Sequence, residues 1–326
     1  MIDAERSLEA VSDGLIDYLR AELDRPALDY ARPLTQLQGG YETCTYRFAL
    51  SGAEREWADP LVLRLYPRRL PAINARWEST VQNLLAGAGY PVARAYTTCT
   101  DTSVLGGAFY VMQLLPGEPM LNAPLETVPG LLGRTHAALH DIDPAPFLDA
   151  LRKRAFDERR YRLAGRLEGL QRRAAAHPWL HAAVDWLVGH APPEPERLSI
   201  CHGDFHPLNL LVQDGRVTGV LDWPGFMIAD PVSDVATTIV LGTISAKHVL
   251  GLTASEAFVE PYLAAYRSRR PLDLTHLDYH RARRCISALL EGAEGHDVWR
   301  RPGVVGDLVA YVEGVTGVRV EPGPVL

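Results

Sequence analysis

The feature that most constrains this 326-residue chain is a polar segment at residues 202–209 followed by two short apolar runs. The segment reads His-Gly-Asp-Phe-His-Pro-Leu-Asn, and its proline fixes φ and favours a stiff loop over a helix. The two runs are joined by Asp214-Gly215, a dipeptide that predicts a β-hairpin. Such a hairpin returns Asp222, at the end of its second strand, to the side of Asn209, at the start of its first.

Three oxygen-bearing side chains in this stretch suggest one chemistry. A carboxylate can orient an attacking hydroxyl and accept its proton, which makes Asp204 the candidate catalytic residue. An amide oxygen and a second carboxylate are ligands that Mg²⁺ prefers, so Asn209 and Asp222 are the candidate metal ligands. Phosphoryl transfer from a nucleotide to an alcohol needs this combination. The alternative is a hairpin with unrelated polar turn residues, and the order of the three groups disfavours it.

Composition excludes several other classes of protein. With 47% apolar residues and a net charge of −7, the chain has no basic stripe for a nucleic-acid partner. No apolar run reaches about 18 residues, so no membrane span is expected, and the N-terminus lacks the pattern of a signal peptide. The four cysteines form no CxxC pair, which predicts a reduced, cytoplasmic setting. No glycine-rich P-loop sequence and no serine nucleophile elbow occur.

The motifs resemble those of the aminoglycoside phosphotransferase/choline kinase family, over roughly residues 34–240. The resemblance is carried by the segments 202–211, 221–223 and 229–236. It implies an α+β, bilobal protein-kinase-like fold. Residues 1–115 would form a small N-terminal lobe with an antiparallel sheet and a helix, and residues 116–326 a larger, mainly helical C-terminal lobe.

The resemblance also implies the nucleotide site. Its predicted residues are Gly39, Gly40, Arg64, Glu78, Gln113 and Leu115. Gly39-Gly40 would offer backbone N–H groups to phosphates, and an ion pair with Glu78 would hold Arg64 for the same purpose. The only lysines are Lys153 and Lys247, so either Arg64 serves as the phosphate-binding cation of the N-terminal lobe or no residue does, and the alternative for Arg64 is an outward-facing strand arginine. Backbone groups of Gln113 and Leu115 would meet the nucleotide base.

Other polar residues are interpreted as structural. Asp230, followed by proline, reads as a helix N-cap, and by analogy Asp234 hydrogen-bonds the backbone of the catalytic loop. His136 and His140 share a helical face at zinc-like spacing, but no third ligand is evident, so they are interpreted as packing residues. The Arg-rich stretch 147–175 reads as one long helix.

The resulting hypothesis is an ATP- or GTP-dependent kinase that uses Mg²⁺ and acts on a small-molecule alcohol. The acceptor classes that remain open are aminoglycosides, macrolides, amino alcohols and sugars, and the oligomeric state is not predicted. Aromatic residues of the C-terminal lobe either line an apolar acceptor pocket or form core: Trp223, Phe226, Tyr262, Tyr266 and Trp299. A nucleotide-binding regulator without transfer activity is the alternative. A protein kinase is disfavoured, because Asp222 and Asp230 leave no room for an activation loop.

Overall fold

The chain forms two compact units. The structure, a computed structural model, describes residues 7–37, 43–251 and 255–323. One unit comprises Met1–Glu118 and Leu211–Pro224, and the other comprises Pro119–Leu210 and Gly225–Leu326. The first unit therefore includes a distant segment, residues 211–224, that the sequence analysis assigned to the C-terminal lobe.

Helices and strands follow one another along the chain as follows. The strands of the described residues are β1 Asp29–Gln36, β2 Cys44–Ser51, β3 Leu61–Leu65, β4 Ala95–Cys99, β5 Phe109–Gln113, β6 Glu118–Pro119, β7 Ser199–Cys201, β8 Leu210–Gln213, β9 Arg216–Val220 and β10 Met227–Ala229. The α-helices are α1 Leu8–Glu22, α2 Ile73–Gly87, α3 Thr102–Leu105, α4 Val128–His140, α5 Ala145–Lys153, α6 Leu163–Ala174, α7 His181–Gly189, α8 Pro231–Val240, α9 Ala246–Val249, α10 Val259–Arg267, α11 Leu277–Ala293 and α12 Pro302–Thr316.

An antiparallel five-stranded sheet, in the order β1-β2-β3-β5-β4, forms the centre of the first unit. Side chains of a strand alternate between its two faces. Leu61, Leu63 and Leu65 of β3 therefore join the apolar cluster of helix α1, while Val62 joins the cluster that contains Ala75 of α2. The same alternation places Arg64 on the α2 side of the sheet.

The predicted hairpin is confirmed as strands β8 and β9, which are neighbours in a three-stranded sheet of order β6-β8-β9. Asp214 and Gly215 at its tip have φ angles of 52° and 72°. Two-residue turns of this kind match the twist of antiparallel strands, and they need residues that tolerate positive φ. The turn chemistry of the sequence therefore sets the register that ends β9 just before Asp222.

Helix α11 is central to the second unit, where it packs against α8 and α12 and is buried along most of its length. Helices α4 and α10 form a second close pair. A Cβ at Gly133 of α4 would lie only 2.4 Å from the carbonyl oxygen of Tyr262, so these helices can approach this closely only because residue 133 is glycine.

The single helix predicted at 147–175 is wrong, because the chain forms α5 and α6 with a break between them. Ala155 adopts a φ of 56°, which ends α5. The Asp157 carboxylate then accepts a hydrogen bond from the Arg159 N–H at 3.0 Å and begins a short 3-10 turn. No glycine or proline marks the break, so the apolar pattern of the sequence predicts one continuous helix across it.

The predicted α+β class is confirmed by the antiparallel sheet of the first unit and the helices of the second. The four cysteines are buried, free thiols. Among the residues that the structure describes, no helix combines the length and the apolar character that crossing a bilayer requires.

Candidate active site

Strand β7 leads directly into the loop at residues 202–209. Gly203 has a φ of 84°, and a Cβ there would lie 2.4 Å from the carbonyl oxygen of Gly225. Only glycine combines this conformation with so close an approach of two backbones. A 3-10 turn from Pro207 to Asn209 ends the loop and leads into β8. The loop is therefore fixed by backbone geometry at both ends.

The Asp204 carboxylate lies within this loop with 41% of its side chain exposed. Its Oδ2 is 3.3 Å from Nε2 of His206 and 3.3 Å from Nδ2 of Asn209. Partial burial opposes ionisation, but the charge and hydrogen bond of His206 outweigh it and lower the pKa of Asp204 to about 2. At neutral pH Asp204 is thus a carboxylate that can accept the proton of an alcohol.

The Asn209 amide is oriented by the same loop. Its Nδ2 donates to the backbone carbonyl of Asp204 at 3.0 Å, and only 9% of the residue is exposed. Because the nitrogen faces Asp204, Oδ1 points away from it, and no described residue donates a hydrogen bond to that oxygen. An oriented amide oxygen without a partner fits the role of a Mg²⁺ ligand.

Asp234 anchors the loop through its backbone, as predicted. The carboxylate accepts from the N–H groups of His202, at 2.5 Å, and Gly203, at 2.8 Å. The predicted N-cap of helix α8 is also present, since Asp230 accepts from the Val232 N–H at 3.0 Å and proline follows. The start of α8 therefore fixes the start of the catalytic loop.

Two histidines of α4 also contact Asp234, and the sequence analysis missed these contacts. Nε2 of His136 and Nε2 of His140 lie 3.0 and 3.3 Å from its Oδ2. Their Nδ1 atoms face the hydroxyls of Tyr262 and Tyr266 on α10, at 2.7 and 2.6 Å. In the sequence, the two histidines are spaced i, i+4 on α4 and the two tyrosines i, i+4 on α10. Only the packing of α4 on α10 shows that the two pairs meet.

Burial and mutual contact set the protonation states of His140 and Asp234 in this network. Burial, reinforced by the neighbouring His136, lowers the pKa of His140 to about 3, so its ring is neutral. Burial opposes the charge of Asp234, but the two histidines outweigh it and hold its pKa well below the usual range. Neutral His140 then donates its Nε2–H to Asp234 and accepts a hydrogen bond from the Tyr266 hydroxyl at Nδ1. The spacing of His136, His140 and Asp234, within 4.8 Å of one another, would suit a metal ion, but every ring nitrogen already has a partner.

In the first unit, Arg64 contacts two carboxylates. Its Nη1 lies 3.5 Å from Oε1 of Glu78, and its Nη2 lies 2.5 Å from Oδ1 of Asp222. Glu78 is 1% exposed and also accepts hydrogen bonds from the Tyr66 hydroxyl and the Trp223 N–H. The predicted ion pair between Glu78 and Arg64 is therefore present, while its role in nucleotide binding stays a prediction.

The charges of this ion pair are set by burial and mutual attraction. Burial opposes the charge of Arg64, but the attraction of Glu78 outweighs it and raises the pKa of Arg64 well above its ordinary value. Burial raises the pKa of Glu78, and Arg64 partly offsets that effect. Arg64 is thus a permanent cation with a fixed position, as a phosphate-binding group requires.

Asp222 lies two residues after the end of β9 and adopts a φ of 68°, which is uncommon for a residue other than glycine. Backbone strain of this kind often occurs at functional sites. The side chain is 35% exposed, and Arg64 occupies its Oδ1. Its Oδ2 accepts no hydrogen bond from the described part of the chain, which leaves one oxygen for a metal ion.

The remaining predicted residues are placed as follows. The N–H of Gln113 donates to the Arg94 carbonyl at 3.0 Å, so it is not available to a ligand. The N–H of Leu115 donates to no residue within the described ranges. Gly39 and Gly40 lie outside the described residues.

The structure brings Arg64, Glu78 and Asp222 together in the first unit, and Asp204 and Asn209 together in the second.

Aromatic residues considered for an acceptor pocket are all buried, with exposures of 0 to 3%: Trp223, Phe226, Tyr262, Tyr266 and Trp299. The structure therefore favours the interpretation that these aromatic residues form core over the one in which they line an acceptor pocket.

In sequence, the chain matches one family model and several curated proteins. Residues 33–285 match the model of the phosphotransferase enzyme family. Acyl-CoA dehydrogenase family member 10 of Mus musculus is 28% identical over 245 residues, which cover 71% of this chain and 22% of that protein. The match thus spans about a fifth of the length of this curated relative.

Two solved structures share the fold. A proposed aminoglycoside phosphotransferase of Ralstonia eutropha has a TM-score of 0.66 and 21% identity, over 93% of this chain and 98% of that chain. A thermostable mutant of aminoglycoside phosphotransferase APH(4)-Ia, in a ternary complex with AMP-PNP and hygromycin B, has a TM-score of 0.60 and 18% identity, over 94% and 99% of the two chains. The predicted protein-kinase-like fold is confirmed. Because the family model spans most of the chain, the protein belongs to the phosphotransferase enzyme family.

Proposed function

We propose that the protein is a small-molecule kinase that transfers the γ-phosphoryl group of ATP or GTP to a hydroxyl group. The observation that carries this proposal is Asp204, an ionised and accessible carboxylate in a loop that Asp234 holds in place. A carboxylate so placed accepts a hydrogen bond from the acceptor hydroxyl and aligns its oxygen for attack on the γ-phosphorus. It takes the hydroxyl proton as the new P–O bond forms, while the bond to the β,γ-bridging oxygen breaks and ADP or GDP leaves. Alignment of this kind contributes much of the rate of phosphoryl transfer.

The nucleotide would be bound by residues 1–115 and the acceptor by residues 116–326. Arg64 would donate to phosphate oxygens, held in position by the buried Glu78. Backbone N–H groups of Gly39 and Gly40 would complete the phosphate contacts. The free N–H of Leu115 and the carbonyl of Gln113 would face the purine edge.

A Mg²⁺ ion would be held by Asn209 and Asp222, whose Oδ1 and Oδ2 atoms respectively have no partner among the described residues. When bound, the ion would neutralise the charge of the nucleotide phosphates. The Arg64 contact leaves Asp222 one oxygen for this purpose, so Asp222 can serve both groups.

Asp204→Asn tests the assignment of the base. Screening ATP consumption with aminoglycosides, macrolides, amino alcohols and sugars should identify an acceptor for the wild-type protein. The variant should then lose turnover of that acceptor by roughly 100- to 10,000-fold, because it lacks the base. Its thermal stabilisation by Mg-ATP should be unchanged, since Asn keeps the shape of the loop. Normal turnover by the variant would remove Asp204 from the role of base.

A nucleotide-binding regulator without transfer activity is the second candidate, and the ion pair between Arg64 and Asp222 favours it. That contact occupies the cation and one of the carboxylates that a Mg-nucleotide needs. In this case Mg-ATP would raise the unfolding temperature, while no alcohol in the screen would be phosphorylated. Turnover of any alcohol that depends on Asp204 would exclude this candidate.

A further inference from the structure

Helix α11 carries a buried arginine that no acid among the described residues contacts. Arg283 is 8% exposed, and it forms no hydrogen bond or ion pair with the described side chains, those of residues 7–37, 43–251 and 257–323. Its Nε is buried without an acceptor. Removing a guanidinium from water without an acceptor costs free energy. A bound anion would offset that cost by supplying the missing charge and hydrogen-bond acceptors.

His280 lies one turn before Arg283 on the same face of the helix. It is fully buried, and neither of its ring nitrogens has a hydrogen-bond partner among the described residues. Its ring packs edge-on against Tyr279, with the centroids 5.1 Å apart. Two neighbouring side chains with N–H donors therefore lack acceptors at one place in the second unit.

The next residue, Arg284, shows that this helix can compensate a buried charge. Its Nη1 lies 3.2 Å from Oε1 of Glu291, and its guanidinium lies 4.8 Å from the ring centre of Trp299. Helix α11 thus supplies a carboxylate for Arg284 and none for Arg283. The absence of a partner is a specific property of Arg283 and not of buried arginines on α11 in general.

Charged groups of both signs surround Arg283. Burial and the charge of Arg284 lower its pKa, while Tyr279 and the carboxylate of Asp234 oppose this effect without contacting Arg283. Helix α11 packs against α6 and against α8, the helix that carries Asp234. Burial, together with the charges of Arg160 and Arg283, lowers the pKa of Arg166 on α6 to about 10. Arg284 adds to the effect of His206 in lowering the pKa of Asp204 against its partial burial.

From this arrangement, and resting on the proposed function, we infer that Arg283 and His280 bind an anionic group of the acceptor, a carboxylate or a phosphate. A guanidinium donates two parallel hydrogen bonds to either anion, and an imidazole N–H can add a third. The acceptor is then a hydroxy acid or a phosphorylated alcohol. Polycationic aminoglycosides would be repelled at this position.

Anion binding can be measured without knowing the acceptor. Thermal unfolding of the full chain is followed as sodium phosphate, or separately sodium acetate, replaces sodium chloride at constant ionic strength. Wild type and the control Arg267→Met, which changes an exposed arginine of α10, should gain stability with one of these anions. Arg283→Met should gain none, and without anion it should unfold at a temperature equal to or above that of wild type. Loss of stability in Arg283→Met, with the same response to anions as wild type, would contradict the inference.

Turnover separates this inference from the proposed function. Glycerol, glycerate, glycerol 3-phosphate and kanamycin are added to the ATP-consumption screen, with longer hydroxy acids and their amides as matched pairs. Anionic acceptors should be preferred over their neutral partners by about tenfold or more, and Arg283→Met should raise their KM by roughly 30-fold while kcat changes little.

Two outcomes would distinguish failure of the anion-site inference from failure of the kinase assignment. Equal turnover of neutral, cationic and anionic alcohols by wild type and Arg283→Met would overturn the inference and leave the kinase assignment intact. Anion-dependent stabilisation that requires Arg283, without phosphorylation of any alcohol, would keep the anion site and overturn the kinase assignment.

Discussion

One buried carboxylate, Glu78, forms an ion pair with Arg64 and accepts hydrogen bonds from the hydroxyl of Tyr66 and the N–H of Trp223. These contacts join a strand, a helix and the residue that follows Asp222. A buried charge is stable only when it is paired and hydrogen-bonded, so Arg64 and Glu78 depend on each other.

Glu78→Gln removes the charge and keeps the shape of the side chain. We expect it to lower the free energy of unfolding by about 2–4 kcal/mol, because a buried Arg64 loses its buried partner. Urea denaturation followed by tryptophan fluorescence measures the effect. The double variant Arg64→Met/Glu78→Gln should recover part of the loss, since the only charge left without its partner is Asp222, whose side chain is 35% exposed. An unchanged free energy in Glu78→Gln would mean that Asp222 alone compensates Arg64.

His140 predicts how stability depends on pH. Its pKa is lowered to about 3 in the folded state, chiefly by burial, against about 6.5 in an unfolded chain. Between these values the unfolded state binds a proton that the folded state does not, so stability is complete above pH 6.5 and falls as the pH drops. Wild type should lose about 2 kcal/mol more than His140→Gln between pH 6.5 and pH 5. Urea denaturation at each pH measures this difference, and parallel pH curves for the two proteins would contradict it.

At the scale of elements, the pairing of α4 with α10 places two histidines between two tyrosines and Asp234. The contact depends on Gly133, where a Cβ would meet the Tyr262 carbonyl oxygen at 2.4 Å. Small changes in this packing reach the catalytic loop, because Asp234 holds the N–H groups of His202 and Gly203.

Gly133→Ala should force the two helices apart and lower the free energy of unfolding by about 1–3 kcal/mol, since overpacking against a backbone carbonyl cannot be relieved by a side-chain rotation. Turnover should fall with it. Gly130→Ala on the same helix is the control, because its new Cβ would meet only the flexible Arg134 side chain, at 3.3 Å. That change should be neutral or stabilising by up to about 1 kcal/mol. Thermal and urea unfolding measure both, and equal effects would show that Gly133 does not control the approach.

At the scale of the whole molecule, the features that could be predicted from the sequence are those set by a few neighbouring residues, such as helix starts and turns. Asp230 before a proline specifies a helix start, and Asp214-Gly215 specifies a hairpin turn; both are present. The break near Ala155 was missed, because an alanine in the left-handed region leaves no local signal. The contacts of His136 with Tyr262 join residues 126 positions apart, so they follow from helix packing and not from any pattern within one helix.

The same holds for the candidate site. Asp204, Asn209 and Asp222 stand out because their types and spacing suit one chemistry. Arg283 did not stand out, because a sequence contains many arginines and does not reveal which of them is buried without an acid. Its interest depends on burial and on the absence of a partner within the described ranges, and both are properties of the folded chain.

The path of the chain has a practical consequence for dissecting this protein. Because Leu211–Pro224 belongs with Met1–Glu118, the backbone passes from one unit to the other three times, after residues 118, 210 and 224. A gene fragment that stops at residue 118 would encode a sheet without Asp222, leaving Arg64 with only one of its two acids. To be made by itself, the first unit therefore needs residues 211–224 fused through a linker to residues 1–118.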